Sequence, residues 1–570
     1  MEKVTHLLLV CCLAFATAHG ATYYVDYSAG NDANAGTSTG AAWKHAPGDT
    51  NATGTASSTT LNAGDSVLFK GGVVYSNQIH LTRSGSPTHR ITYAAADGWG
   101  SGKAVIDRNY TSNTVAFSLA SGVSHIKIAH FELRNCGGFA EDSTVVSNAA
   151  AGVYGNTTNA WRVQMPGWGI DAFNGPVTNL YLDGLYIHHM GIWYSSTGWD
   201  GRSICGIGIR FQTVCDTVIT NCEFTKIGLT AVQVLSTGVS QSNTITDCYI
   251  HDHMTTWGLD IAPYAVNAVL NNFTITKTRL VNLWSEWDGT PDDPLGTGTT
   301  APHQNYIMLR TGGTVCTFTN IYVTRCYFTE TNDTHIGSGG TAAIFITQGP
   351  SVNVWNNVFA RSWNYSGTIY IIYGLTSSDQ RVTIFNNTFF RKQATPIMVA
   401  YASAILPRTL EIANNIIVNQ TGVAANNSMV VFNDTYDYPE LCNYNLYYGY
   451  GWGTNQMYVS KQGAAGKLWP QHQALGWDTN GFYADPLFID HTNAVPVNRN
   501  FSIRSNSPAI GVGTNLSAYF TVDYNGVARG TAWDIGAYEY SEEETPPLGP
   551  GGGSGARVTG NVRAGSLRRQ

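Results

Sequence analysis

Charge is scarce in this chain. Only 12% of its 570 residues are Asp, Glu, Lys or Arg, and 31 basic residues against 38 acidic ones leave a net charge of −7. A nucleic-acid binder normally carries a basic stripe, and the sequence has none. Long apolar runs are missing as well. Beyond the first twenty residues no stretch approaches the roughly 20 apolar residues of a membrane-spanning helix. A phosphate-binding P-loop, a dinucleotide fingerprint and a zinc-type Cys or His spacing are all absent. Disorder is disfavoured from the other side, because 43% hydrophobic residues with 12% aromatics can bury ample surface.

What the chain does have is Gly (61), Tyr (31) and abundant Asn and Thr, the composition of many short strands joined by turns. At roughly 150 residues per domain it is too long for one ordinary core unless a unit repeats along an axis. Residues 1–20, MEKVTHLLLVCCLAFATAHG, read as a secretory signal peptide, with Lys3, an apolar run and an A-x-A end. The mature protein is therefore expected outside the cytoplasm, with residues 21–540 forming one solenoid domain. Eight cysteines then remain, Cys136, Cys205, Cys215, Cys222, Cys248, Cys316, Cys326 and Cys442, and the compartment permits disulfides among them. Residues 541–570, rich in Gly, Pro and Arg, read as a disordered tail.

One phrase recurs between about residues 120 and 420: β-formers, a polar pair, then an aromatic or aliphatic residue. Examples are VITNCEF from Val218, TITDCYI from Thr244, NVWNNVF from Asn353 and LEIANNII from Leu410. Its polar anchors are His130, Asp183, Asn221, Asp247, Lys277, Arg325, Asn356, Asn386 and Asn414. Neighbouring anchors stand 26 to 31 residues apart, with three longer gaps. The alternation excludes helical repeats, and a second alternating strand follows in each unit, as in AVQVLS and GLDIAP. This predicts an all-β fold, a parallel β-helix whose rungs stack about 4.8 Å apart. Asn356, Asn386 and Asn414, with Cys222 and Cys248, are expected at equivalent bends as a stacking ladder.

The opening segment TYYVDYSAGNDANAGTSTGAAWKHAPG with GDSVLFKGGVVY, and the closing ADPLFIDHTN, NSPAIGVG and DIGAYEY, resemble secreted right-handed parallel β-helix proteins of the pectate-lyase-like superfamily. The resemblance covers roughly residues 22 to 540 and implies the fold. It leaves the reaction open, since that superfamily holds lyases, hydrolases and epimerases.

Insertions project from a solenoid without breaking its core, so the long gaps near 138–166, 192–205 and 284–304 mark the expected binding face. They bring Trp193, Tyr194, Trp199, Trp284 and Trp287, rings suited to sugar faces, together with Asp288, Asp292, Asp293 and His303. Aligning the adjacent strands places Asp171, Gly208, Gln233, Asp260, Met308 and Phe345 in one outward row, with Arg210 and Arg310 in the next and Trp257 beside Asp260. Asp171 and Asp260 then lie three coils apart, about 14 Å, beyond the roughly 5 to 9.5 Å of paired glycosidase carboxylates. Asp260 would need Asp288, Asp292 or Asp293 as its partner, with His303 a second proton carrier. Asp171, Arg210, Gln233 and the six aromatics are the substrate-binding candidates. His188, His189, His251, Asp252, His253 and Lys226 read as bend residues rather than metal ligands.

Three functions follow from these residues. The leading one is hydrolysis of a polysaccharide by paired carboxylates. The second is β-elimination on a uronate polymer, with His303, Arg310 or Lys226 as base and Ca²⁺ or Arg neutralising the carboxylate. The third is glycan binding without chemistry. A solenoid completes its own core, so a monomer is expected.

Overall fold

The computed structural model describes residues 20–542, apart from 112, 138–162, 195–205, 253–256, 282–303, 313–314, 331–339, 348, 361–366, 373–380, 392–394, 401–408, 421–429, 433–440, 452–458, 462–467 and 475. The expected signal peptide and all but the first residues of the expected tail lie outside this set.

Each coil contributes three short strands. One coil runs Thr230–Ser236, Val239–Thr246 and Tyr249–His251; the next runs Trp257–Pro263, Val269–Thr276 and Arg279–Val281. Every strand pairs in parallel with its equivalent one coil away, so first and second strands merge into a 25-stranded sheet and third strands build a 13-stranded one. The chain is a right-handed parallel β-helix. Among the described residues no helix is long and apolar enough to cross a membrane.

Register is held by inward residues. Ile209, Val232, Leu259, Ile307, Ile344, Ile369 and Ile397 occupy successive first strands and are all buried. On third strands Phe328, Phe359 and Phe389 stack with ring centroids 4.7 Å apart, the rung spacing itself. Burying each such side chain is worth about 1.5–3 kcal/mol, and slipping a strand by one residue would turn its whole set outward.

The polar phrase is the bend between second and third strands. His130, Asn221, Asp247, Lys277, Arg325, Asn356, Asn386 and Asn414 all have φ near +50° to +60°, the left-handed region that Asn and Asp tolerate best. In the coil of Tyr181–Asp183 the left-handed residue is Gly184, not Asp183. The coils also extend further than the phrase. Thr22–Val25, Ser66–Gly71 and Ile91–Gly100 already stack in register below Ile126–Ala129, and Leu441–Asn443 continues the stack above.

Cys222 and Cys248 stand in the expected ladder, but its Asn members are displaced by one residue. The residue after each left-handed one points inward, giving Cys222, Cys248, Thr278 and Cys326, then Asn357, Asn387, Asn415 and Asn445. Each Asn Oδ1 accepts the backbone N–H one coil below, as Asn357 N to Asn387 Oδ1 and Asn387 N to Asn415 Oδ1, both 2.9 Å. Asn356, Asn386 and Asn414 turn the other way and hold the closing segment, donating to the carbonyls of Val522, Asp534 and Thr514 respectively. The seven described cysteines are free thiols. Those of Cys222, Cys248 and Cys326 donate to the carbonyl two residues back, filling the place Asn takes in later coils.

Candidate functional site

Asp260 sits at the centre of Trp257–Pro263. Its neighbours Leu259 and Ile261 face the core, so strand alternation sends Asp260 to the outer side, where it is nonetheless fully covered at 0% exposure. On successive rungs the same row holds Asp171, Arg210, Gln233, Asp260, Met308, Phe345 and Tyr370.

This corrects the expected alignment at two residues. Arg210, not Gly208, stands level with Asp171 and Gln233. Gly208 faces inward, where an added Cβ would lie 2.5 Å from the Ala231 carbonyl oxygen and 2.9 Å from the Phe224 ring. A corner between Gly208 and Ile209 lets two consecutive residues face the core, a break in alternation that strand spacing alone does not reveal.

The row is built as two ion-pair modules. Arg210 Nε and Nη2 donate to Asp171 Oδ1 and Oδ2 at 3.0 and 3.1 Å. Its guanidinium lies between the rings of Trp168 and Phe173, 4.2 and 4.5 Å from their centroids. Arg310 Nε and Nη2 donate to Asp260 Oδ1 and Oδ2, both at 2.8 Å, while Gln233 Nε2 donates to Asp260 Oδ2 at 3.0 Å. The Arg310 guanidinium is 5.3 Å from the Trp257 ring. Burial works against the Arg310 charge, but the Asp260 carboxylate holds its pKa above the usual arginine value. Both oxygens of Asp260 are occupied, so what the module presents is the Arg310 edge, its side chain 22% exposed.

Trp168 was not singled out from the sequence, yet the signal was there. WGID at 168–171 and WGLD at 257–260 are the same motif, each answered by an Arg on a following coil. The indole Nε1 of both Trp168 and Trp257 is buried and without a hydrogen-bond partner among the described residues. Beyond Asp260 the row turns apolar, as Met308 and Phe345 cluster with Trp257 and Tyr370.

Two insertions meet. Val163–Met165 pairs antiparallel with Ile192–Tyr194, setting Gln164 opposite Trp193 and Val163 opposite Tyr194. Trp199, Trp284, Trp287, Asp288, Asp292, Asp293 and His303 lie outside the described residues.

Third strands carry a second titratable group. His188 Nε2 lies 3.2 Å from Glu132 Oε1, and His251 Nε2 lies 3.2 Å from Glu223 Oε1, each pair bridging adjacent rungs. A hydrogen bond from His188, with Arg134 assisting against burial, holds the Glu132 pKa low. Burial opposes charge on His251, but Asp252 and Glu223 outweigh it and raise its pKa. His189, Lys226 and Asp252 occupy the left-handed bend as expected, whereas His188 and His251, also read as bend residues, lie within third strands and His253 lies outside the described residues.

No family model matches the chain. Lacto-N-biosidase of Bifidobacterium longum subsp. longum is 31% identical over 206 residues, covering 31% of this chain. The chain spans only 12% of that relative's length. Among solved structures, the GH136 lacto-N-biosidase from Eubacterium ramulus superposes with a TM-score of 0.45 at 14% identity, covering 81% of this chain and 67% of the other. Pectate lyase Pel9A gives a TM-score of 0.45 at 14% identity, covering 91% and 96%.

Proposed function

We propose that this chain is an exported carbohydrate-active enzyme that hydrolyses glycosidic bonds of a polysaccharide, with the outer row of the first strands as the floor of its cleft. The paired Trp-Asp-Arg modules carry this reading. Each offers a guanidinium edge beside an aromatic ring face, the donors and apolar surface that a sugar's hydroxyls and C–H face require. The row is polar at one end and aromatic at the other, a floor suited to an extended chain of sugars. Hydrolysis is favoured because the relative alike in sequence is named a lacto-N-biosidase.

In this reading Asp260 orients Arg310 rather than carrying a proton, since its carboxylate is wholly covered and held by Arg310 and Gln233. General acid and base work falls to carboxylates of the 284–304 insertion, Asp288, Asp292 and Asp293, with His303 leading back to the strand before Arg310. Trp193, Tyr194, Trp199, Trp284 and Trp287 would wall the cleft.

One observation favours elimination as the second reading. Arg210 in the row and Arg310 beside it both keep some exposure, and a guanidinium is the group that takes a uronate carboxylate. The test is a polysaccharide panel with Ca²⁺ or chelator present, following reducing ends and unsaturated-product absorbance together. New reducing ends without absorbance are expected. Absorbance establishes elimination instead, and binding without either product leaves a glycan-binding protein.

A further inference from the structure

The Asn ladder ends in an unusual acceptor. After Asn445 the next coil supplies Asp478, itself left-handed at φ 46°, with its N–H on the Cys442 carbonyl at 2.7 Å. Asp478 Oδ1 takes over the ladder's role and accepts from Asn445 N and Nδ2 at 3.0 and 2.8 Å. Its other oxygen faces three more groups: Cys442 Sγ at 3.2 Å, Tyr447 Oη at 2.9 Å and His472 Nε2 at 2.8 Å. All four residues are buried, at 5% exposure or less.

Protons alone fit this arrangement poorly. A carboxylate has about four lone-pair sites, and five donors are aimed at this one, three of them at a single oxygen. One cation replaces those protons and turns crowding into coordination.

We propose that Cys442, His472 and Asp478 bind a zinc ion, with Tyr447 at the fourth position, and that the ion locks the last coil of the β-helix. The donor set is sulfur, nitrogen and oxygen, the ligands zinc takes, and their ligand atoms all lie within 4.8 Å of one another. Zinc holds sulfur at about 2.3 Å and nitrogen or oxygen at about 2.0–2.2 Å, so a tetrahedron needs its ligands roughly 3–4 Å apart. The Cys442–Asp478 and Tyr447–Cys442 separations, 3.2 and 3.9 Å, fall in that range, and His472–Asp478 at 2.8 Å is a few tenths short. The ligands come from a second strand, a short helix at Trp469–Gln473 and a loop, so the ion would tie three separate segments of the coil. A solenoid's terminal coil has a neighbour on one side alone, which is where such a lock matters most.

The test uses the full chain refolded with zinc and then dialysed against buffer. Elemental analysis should find about one zinc per chain, and replacement by Co²⁺ should give an intense thiolate-to-metal absorption band. Cys442→Ser should lose that band, and His472→Gln should lower bound zinc at least tenfold. Should either variant fail to fold, the wild-type cobalt spectrum decides alone. Folded wild-type protein with under a tenth of an equivalent of zinc and no cobalt band overturns the proposal. Full zinc binding by folded Cys442→Ser and His472→Gln overturns it equally.

Discussion

Arg310 grips both carboxylate oxygens of Asp260 at 2.8 Å from one coil away, and that carboxylate is wholly covered. Removing the cation therefore leaves a buried charge without its partner. Arg310→Ala should destabilise the protein by about 3 kcal/mol, the low end for such pairs because Arg310 is partly exposed to solvent. Asp260→Asn keeps the shape and removes the wholly buried charge, so the solenoid should persist while Arg310, 22% exposed, loses its anchor. Activity on the responsive glycan should fall at least about a hundredfold with the unfolding midpoint little changed. Undiminished activity in folded Asp260→Asn would show that the module is structural.

The other module separates ring from donor. Trp168→Phe keeps an aromatic face against Arg210 but deletes a buried indole N–H that has no partner among the described residues. Because that N–H is buried and the ring face is kept, glycan affinity should change by less than about threefold. Arg210→Lys removes both the bidentate contact and the stacking, and should cost more than Trp168→Phe. Calorimetric titration with the bound oligosaccharide ranks the two, and the reverse order would refute this assignment.

Adjacent asparagines should differ sharply in their worth to the fold. Asn387 is fully buried and accepts from Asn357 N and Nδ2 while donating to the Val354 carbonyl and Asn415 Oδ1. Asn387→Ala strands several of these partners in the core and should cost about 3 kcal/mol or more. Asn356→Ala gives up contacts to the closing segment, one to the Val522 carbonyl and one from Arg529, and should cost less. Urea unfolding of both variants tests the order.

These neighbours also show where the sequence was legible. The spacing of the bends, the inward aliphatic rows and the outward face of Asp260 all follow from period and alternation, because a repeating unit writes its geometry into each copy. Which of two consecutive Asn residues turns inward does not follow, since backbone handedness at the first decides it. Gly208 was misplaced for a related reason: at the corner two neighbours face the core, and alternation fails there. Trp168 and the Cys442, His472 and Asp478 cluster depend on contacts between coils, and the cluster's residues come from segments with no shared motif. The clustering of the first two insertions was anticipated from their position in the chain, and their strands do pair.

Acidity offers a separate handle on rung stacking. His251 lies between Asp252 and Glu223 of the preceding rung, with Tyr249 stacked at 4.0 Å, and burial against its charge is outweighed by the two carboxylates. Its folded pKa is therefore above the unfolded value of about 6.5. Folding then takes up a proton at this site, so the stabilisation is complete below about pH 6.5 and disappears as pH rises through the higher folded value. Part of it rests on Glu223, whose side chain is 47% exposed, so the contribution is screened and modest. His251→Gln keeps a polar side chain but cannot titrate. The melting temperature of wild type minus that of His251→Gln should shrink between pH 6 and pH 8.5. A difference that stays flat or grows over that interval would mean that His251 is neutral in the folded protein.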